Sequence, residues 1–438
     1  MLSKRALDRR LKKSIILDEK DVPIDATYYS IIKNTPQIVI LGKSKWLNAI
    51  HVQGTEANLN QLVTNLSFVK NIEYADKRLN IKLKQKTKKL PQNHLHKLKN
   101  NVVDFNYGAA ENQIKMLAGD YLHKQGLTGS NQIIAVIDAG FPNVDKLDGF
   151  KRIRDNNQIL GGYNFADRNS NFYTRNSHGT LVLSTIAGYI KDQFVGTAPD
   201  AKFYLFITEI AESETVLEET LWVEAAERAD SLGVDVLNTS LGYTTFDNSN
   251  HDYSYSDMDG KTTFISRGAE IASSRGMLVV NSAGNSGSSP WKYIGAPADA
   301  TSVISVGAVD ALKNIANFSS FGPSFDGRLK PEIVAQGLNT SLIGSTSGSV
   351  IAASGTSFSG PVMAGLLACL NGYESLSEQS ETINSNELLK MAVFKSSDRY
   401  LNPDNRFGYG VPNFEIALNN YTTSLSVKNT KTQQLNIY

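Results

Sequence analysis

The 438-residue chain has a single cysteine, Cys369, so no disulfide can close within it. A bridge-stapled fold is excluded, while reducing and oxidising compartments both stay open. Cys369 lies in an apolar stretch and reads as core filler. No apolar run reaches the ~18 residues that a membrane-spanning helix requires. The first residues, "MLSKRALDRRLKK", lack the apolar centre of a signal peptide. An excess of one charge is also missing. The 44 Lys and Arg nearly balance the 43 Asp and Glu, giving a net charge of +1. That excludes a global attraction to nucleic acid or an anionic membrane. The local exception is 82–99, with seven lysines and two histidines. It reads as a solvated linker in preference to a binding patch. There is no internal repeat.

What is present is ordinary globular composition, 41% hydrophobic and 20% charged, on a chain too long for one ordinary core. Two or more domains are expected. Residues 1–81 read as a small α+β unit. "RALDRRLKK" and "DATYYSIIKNT" have helical character, and "QIVIL" and "WLNAIHVQG" read as strands. Thr55 caps a helix carrying Leu59, Leu62, Val63 and Leu66, and "FVKNIEYAD" returns as a strand. A β-α-β packing is the simplest arrangement. Periodicity vanishes over 82–106, a linker open to proteolysis.

From 107 to 419 short apolar runs alternate with helical patterns. Strands are expected at 132–138, 202–208, 234–240, 277–283 and 302–309, and helices at 213–233 and 264–276, each ending in glycine. Apolar strands separated by helices predict a doubly wound α/β domain, its mostly parallel sheet covered on both faces. Functional groups then gather at the carboxyl ends of the strands. The tail over 420–438 is polar and expected to be weakly ordered.

Four polar residues stand at such junctions. Asp138 ends the strand "QIIAVID", where it either caps a turn or serves chemistry. His178 in "NSHGT" precedes an apolar helix, and Asn285 in "VVNSAGNSG" sits in a polar loop. Ser357 in "SGTSFSGP" opens an apolar helix, whose free N–H groups and dipole favour a developing negative charge. Pro361 follows within the next turn, where a missing N–H costs less than deep in the helix. A nucleophilic serine needs a base, a group orienting that base, and oxyanion donors. Each residue alone has a structural reading; the ordered set of Asp, His, Asn and Ser does not. The G-x-S-x-G elbow is unmatched, because Ser359 stands where its second glycine would be.

These segments, with "VLNTSLGY" (236–243), "GTAPDAKF" (196–203) and "FSSFGPSFDGRLKPEIVAQG" (318–337), make the chain resemble the subtilisin-like serine proteases over about 120–418. The resemblance implies a serine endopeptidase. Ser357 would be its nucleophile, His178 its general base and Asp138 the residue that orients the base. The Asn285 amide and the Ser357 N–H would stabilise the oxyanion. It implies that Ser240, Leu241 and Gly242 bind the backbone of an extended substrate as an added strand. Ser282, Ala283 and Gly284 would wall the main specificity pocket, open to a sizeable apolar side chain. Departures are "AQG" at 335–337, Phe358 after the nucleophile, and the polar insert at 244–263, expected to narrow the cleft.

Residues 1–81 resemble the propeptide of these proteases, which implies a small α+β, ferredoxin-like domain acting as folding chaperone and intramolecular inhibitor, with autocleavage between about 95 and 113. The enzyme would then be secreted or in the cell envelope, its signal peptide removed and a C-terminal sorting domain lost. Other expected properties are a monomeric state, polypeptide substrates, no nucleic-acid partner and no cofactor required for chemistry. Structural calcium is allowed but has no assigned ligands. The competing readings are a catalytically silent peptide-binding relative and a serine hydrolase acting on another acyl bond.

Overall fold

The computed structural model describes residues 2–80, 104–373 and 385–431. The lysine-rich run 82–99 lies outside the described residues.

The large domain is built on seven parallel strands. They are β3 (Ile133–Asp138), β4 (Ile159–Asn164), β5 (Lys202–Ile207), β6 (Val236–Thr239), β7 (Leu278–Ser282), β8 (Ile304–Val309) and β9 (Ile333–Gln336). Their order is β9-β8-β7-β6-β3-β5-β4. From β3 the chain first builds one side of the sheet, then returns to build the other. The order therefore reverses between β3 and β6, which opens a crevice at their carboxyl ends. Asp138 is the last residue of β3, and Ser240 follows the last residue of β6.

β3 shows why the sheet needs two covering layers. All six of its residues are buried. Ile134 and Val136 face one apolar cluster, and Ile133, Ala135 and Ile137 face the other. The alternation is the period-2 geometry of a strand. The first cluster includes α4 (His178–Ala187) and α7 (Thr356–Asn371), and the second includes α5 (Val216–Leu232) and α6 (Phe264–Ser274). α5 starts on a capping box between Thr215 and Glu218 and stops at Gly233, whose φ is 83°.

The strands expected from apolar runs are present with trimmed ends. β4 and β9 were not anticipated. β4 has Gly161 and Gly162 in its middle, is only partly buried, and shifts register against β5 between Ile159 and Gly161. β9 has four residues, too few for a period to show. The polar tail is also corrected. α8 (Phe414–Lys431) runs well past 420, with Tyr421 buried against Tyr373. Polar neighbours had hidden that contact from a reading of hydropathy. Residues 432–438 lie outside the described residues.

The N-terminal unit differs more. Among the described residues its sheet is one antiparallel hairpin of β1 (Val39–Ser44) and β2 (Ala49–Gln53), with α2 (Ala26–Lys33) and α3 (Glu56–Asn65) around a small core of Ile32, Ile38 and Leu62. The strand expected at 68–76, and with it the β-α-β packing drawn from it, is not formed among the described residues. At Tyr74 the Asn80 side chain takes both backbone groups, accepting from the N–H at 2.8 Å and donating to the carbonyl at 2.7 Å. A side-chain amide thus replaces the neighbouring strand. The hairpin lies on α5: Lys43 N–H donates to Glu224 at 2.8 Å, Ser44 Oγ to Glu227 at 2.7 Å, and His51 Nδ1 meets Thr220 Oγ1 at 2.8 Å.

Candidate active site

Asp138 and His178 come together at the crevice. Asp138 Oδ1 lies 2.8 Å from His178 Nδ1 and also accepts the Ala139 N–H at 2.7 Å. A carboxylate can only accept, so Nδ1 carries the proton and Nε2 is left with a free lone pair. The helix bearing His178 reaches β3 because the next residue is glycine. A Cβ on Gly179 would sit 2.4 Å from the Gly140 carbonyl oxygen and 2.9 Å from Asp138 Cβ. The His178 pKa is raised to about 9, chiefly by the Asp138 charge, against burial, with help from their hydrogen bond and from Glu209. Glu209, two residues past β5, is itself pushed up by burial and by the charge of Asp138.

Ser357 occupies the second position of α7, where its N–H has no intrahelical partner. Its hydroxyl lies 3.5 Å from the Ser240 carbonyl oxygen and makes no hydrogen bond to His178 in this state. The His178 ring is 6.1 Å from that of Phe358, the neighbour of Ser357. Pro361 lies inside α7, not at its margin. Lacking an N–H, it leaves the Ser357 carbonyl without its i+4 donor. The Ser240 hydroxyl fills that role at 3.1 Å. Ser240, just after β6, therefore also completes the helix that carries Ser357.

Asn285 is oriented by its oxygen. Oδ1 accepts from Thr356 N–H at 2.8 Å and from Thr356 Oγ1 at 2.9 Å. With Oδ1 pinned, Nδ2 is turned away as a free donor beside the start of α7. The arrangement thus offers, in one place, a hydroxyl, a carboxylate-oriented imidazole and donors suited to an oxyanion.

Ser240, Leu241, Gly242, Ser282, Ala283 and Gly284 all line one cavity of about 150 Å³ with Asn285 and Ser357. Sequence reading missed Thr244, Tyr293 and Ser320, which complete it. No local pattern marks them, because they arrive from separate loops. Tyr293 is fixed by Tyr255 of the 244–263 insert, their rings stacked at 4.1 Å. The insert is no loose polar loop: Phe246, Tyr253 and Met258 are buried in it. Glu209 was also missed, as one acidic residue after an apolar strand carries no signal. Among the described residues no cluster of three or more acidic, histidine or cysteine side chains could hold a metal ion. No described helix is long and apolar enough to cross a membrane.

A doubly wound α/β sheet with these groups at its reversal point defines a serine hydrolase of the subtilisin architecture. The chain belongs to the subtilase family, whose profile matches residues 129–410, and the peptidase S8 propeptide domain of Bacteroidota matches residues 1–93. It is accordingly a subtilisin-like serine endopeptidase carrying an N-terminal propeptide domain. Subtilisin BL of Lederbergia lenta is 30% identical over 298 residues, covering 67% of this chain and 93% of its own. Subtilisin DY of Bacillus licheniformis is 31% identical over 269 residues, covering 60% of this chain and 85% of its own. Human membrane-bound transcription factor site-1 protease is 30% identical over 289 residues, 65% of this chain but 24% of its own. Among solved structures, the prenylagaramide maturation protease PagA shares the fold, with a TM-score of 0.53 and 21% identity over 69% of this chain and 98% of its own.

Proposed function

We propose that the chain is the zymogen of an endopeptidase that hydrolyses extended polypeptides through Asp138, His178 and Ser357. Ser357 Oγ attacks the scissile carbonyl. His178 Nε2 takes the proton and returns it to the leaving amine. Asp138 holds the tautomer, and Asn285 Nδ2 with the Ser357 N–H receives the oxyanion. The observation that carries this reading is the pinned Asn285: its oxygen is consumed by Thr356, which leaves its amide hydrogens for a substrate oxygen in the cavity that Asn285 lines.

The substrate strand adds along Ser240–Leu241–Gly242, and the side chain before the cut enters the cavity beside Tyr293. An apolar residue of moderate size suits that ring. Chemistry needs no cofactor. The N-terminal unit inhibits in cis until processing, which suits an enzyme released from the cell. The cut falls N-terminal to Tyr107, because that residue already belongs to the catalytic body. Its ring is buried, its hydroxyl meets His123 Nδ1 at 2.7 Å, and Gly108 bridges to Phe194.

Intact mass followed over time, for the wild type beside Ser357→Ala, tests this. The wild type is expected to lose a fragment ending between about residue 95 and residue 106, while the variant stays whole. If both stay whole and a serine-reactive probe fails to label the propeptide-free chain, the silent peptide-binding reading replaces this one.

A further inference from the structure

The first twenty residues do not sit where an inhibitor of the cleft would. α1 (Lys4–Lys12) and the segment to Asp21 lie against the far end of the sheet, where α5 and α6 finish and β6 and β7 begin. The active site is at the opposite, carboxyl end of these strands.

The contacts there have the character of a core. Arg9, Arg10 and Lys13 are 5%, 2% and 9% exposed. Asp230, near the end of α5, is fully buried; its two carboxylate oxygens are taken separately by Arg9 and by Arg10, the latter at 2.7 Å. Arg9 also donates to the Val234 carbonyl, and Lys13 to the Gly276 carbonyl at 3.1 Å and to Asn386. Cations at the carboxyl ends of helices are favourably placed. The exchange runs both ways. Arg275, at the end of α6 and 6% exposed, donates to both oxygens of Asp18 at 2.9 and 2.8 Å and lies 3.6 Å from Asp21. Arg10 reaches that same Asp21 at 2.9 Å, closing a ring of charges.

The catalytic body thus holds a buried carboxylate, Asp230, and a buried guanidinium, Arg275, whose ion-pair partners among the described residues all come from the first 21 residues. Removing the segment would strip both charges of these ion-pair partners. The hairpin unit is attached differently: Trp46, 3% exposed, packs into the apolar cluster that includes α5, the hydrogen bonds to Glu224 and Glu227 are exposed or part-buried, and the unit's own core is small. Between the two runs an exposed link, Val22 being 62% exposed.

We infer that residues 2–21 are an interaction segment that stays on the catalytic body as a separate, non-covalently bound chain after the hairpin unit has been cut away. Its receptor is the surface formed by Asp230, Arg275 and Asp235, the last accepting from Arg5 at 2.5 Å. This rests on the reading of the N-terminal unit as a removable propeptide, but its test does not depend on self-cleavage.

Recognition sites for an unrelated protease are placed in the Ser357→Ala full chain, one within 82–99 and one between Val22 and Asp25. After cutting at both, size-exclusion chromatography and denaturing mass spectrometry report which pieces travel together. The N-terminal peptide is expected to co-elute with the catalytic body at one to one, at micromolar concentration and in 0.5 M salt. With Arg9→Ala and Arg10→Ala together it is expected to separate, with a lower melting midpoint for the body. Should that double variant fail to fold, the parent cut decides alone. A peptide that separates from the parent body, leaving its melting midpoint unchanged, overturns the inference. Failure of the wild type to cut itself would count against the proposed zymogen and leave this result standing.

Discussion

His178 is subject to opposing influences. Burial favours the neutral ring, while the Asp138 carboxylate and, more weakly, Glu209 favour the charged one, and the balance sets its pKa at about 9. The base form is the catalytic one, so kcat/KM for a peptide substrate should climb as pH rises toward 9. Glu209→Gln removes a negative charge near the imidazole. That lowers the His178 pKa, so the acid limb of the pH profile should move to lower pH. A limb that does not move, in a variant of unchanged melting midpoint, would show that the Glu209 charge is not felt there. Asn285→Asp keeps an acceptor for Thr356 and deletes the amide donors. Its kcat should fall at least as far as the ~10²–10³ seen for losing one oxyanion donor, measured by initial rates on a chromogenic peptide. Of these residues, Asp138, His178, Asn285 and Ser357 were legible in sequence because each sits in a small-residue junction of recognisable pattern. Glu209 and Tyr293 were not, because their relation to the site is made by loops meeting in space.

α4 and α7 each carry one side chain of the proposed triad at their first turn, and each is fitted by a small device. Gly179→Ala would drive a methyl to 2.4 Å from the Gly140 carbonyl oxygen. Lifting α4 off β3 should destabilise the chain by ~1–3 kcal/mol. It should also weaken the Asp138–His178 bond, read as a lower midpoint in thermal melts and a lower His178 pKa by NMR titration. In α7 the proline gap is closed by the Ser240 hydroxyl. Ser240→Ala leaves a buried carbonyl unpaired, a loss of ~1–3 kcal/mol. Adding Pro361→Ala returns an N–H to that carbonyl and should recover part of the loss; no recovery in the double variant would discount the coupling. Regular elements with long apolar runs were predictable from sequence. β4 was not, since its glycines break the pattern, nor was the loss of the strand at 68–76, which turns on one asparagine side chain.

For the whole molecule the N-terminal unit is two attachments, not one. The hairpin rests on the flank of α5, and the first helix seals the far end of the sheet. Asp230→Ala leaves Arg9 and Arg10 buried around a missing charge. Breaking a buried pair in this way costs about 3–5 kcal/mol. Denaturant or thermal unfolding of the intact Ser357→Ala chain should show that loss, whereas Lys4→Ala, at an exposed i, i+4 pair, should stay within ~0.5 kcal/mol.

The amino-acid order alone determined the doubly wound domain, the residues proposed to carry the reaction and the presence of an N-terminal propeptide unit. Those properties follow from apolar periodicity and from short motifs, which are local. The tertiary structure alone decided which face of Asn285 meets the cleft, what fills the gap left by Pro361, what floors the specificity cavity, and where the first helix docks. Each depends on side chains far apart in the chain: Ser240 and Ser357, Arg10 and Asp230, Tyr255 and Tyr293. Pairings of that kind are fixed by burial and charge compensation once the sheet has brought its ends together, and no local pattern encodes them.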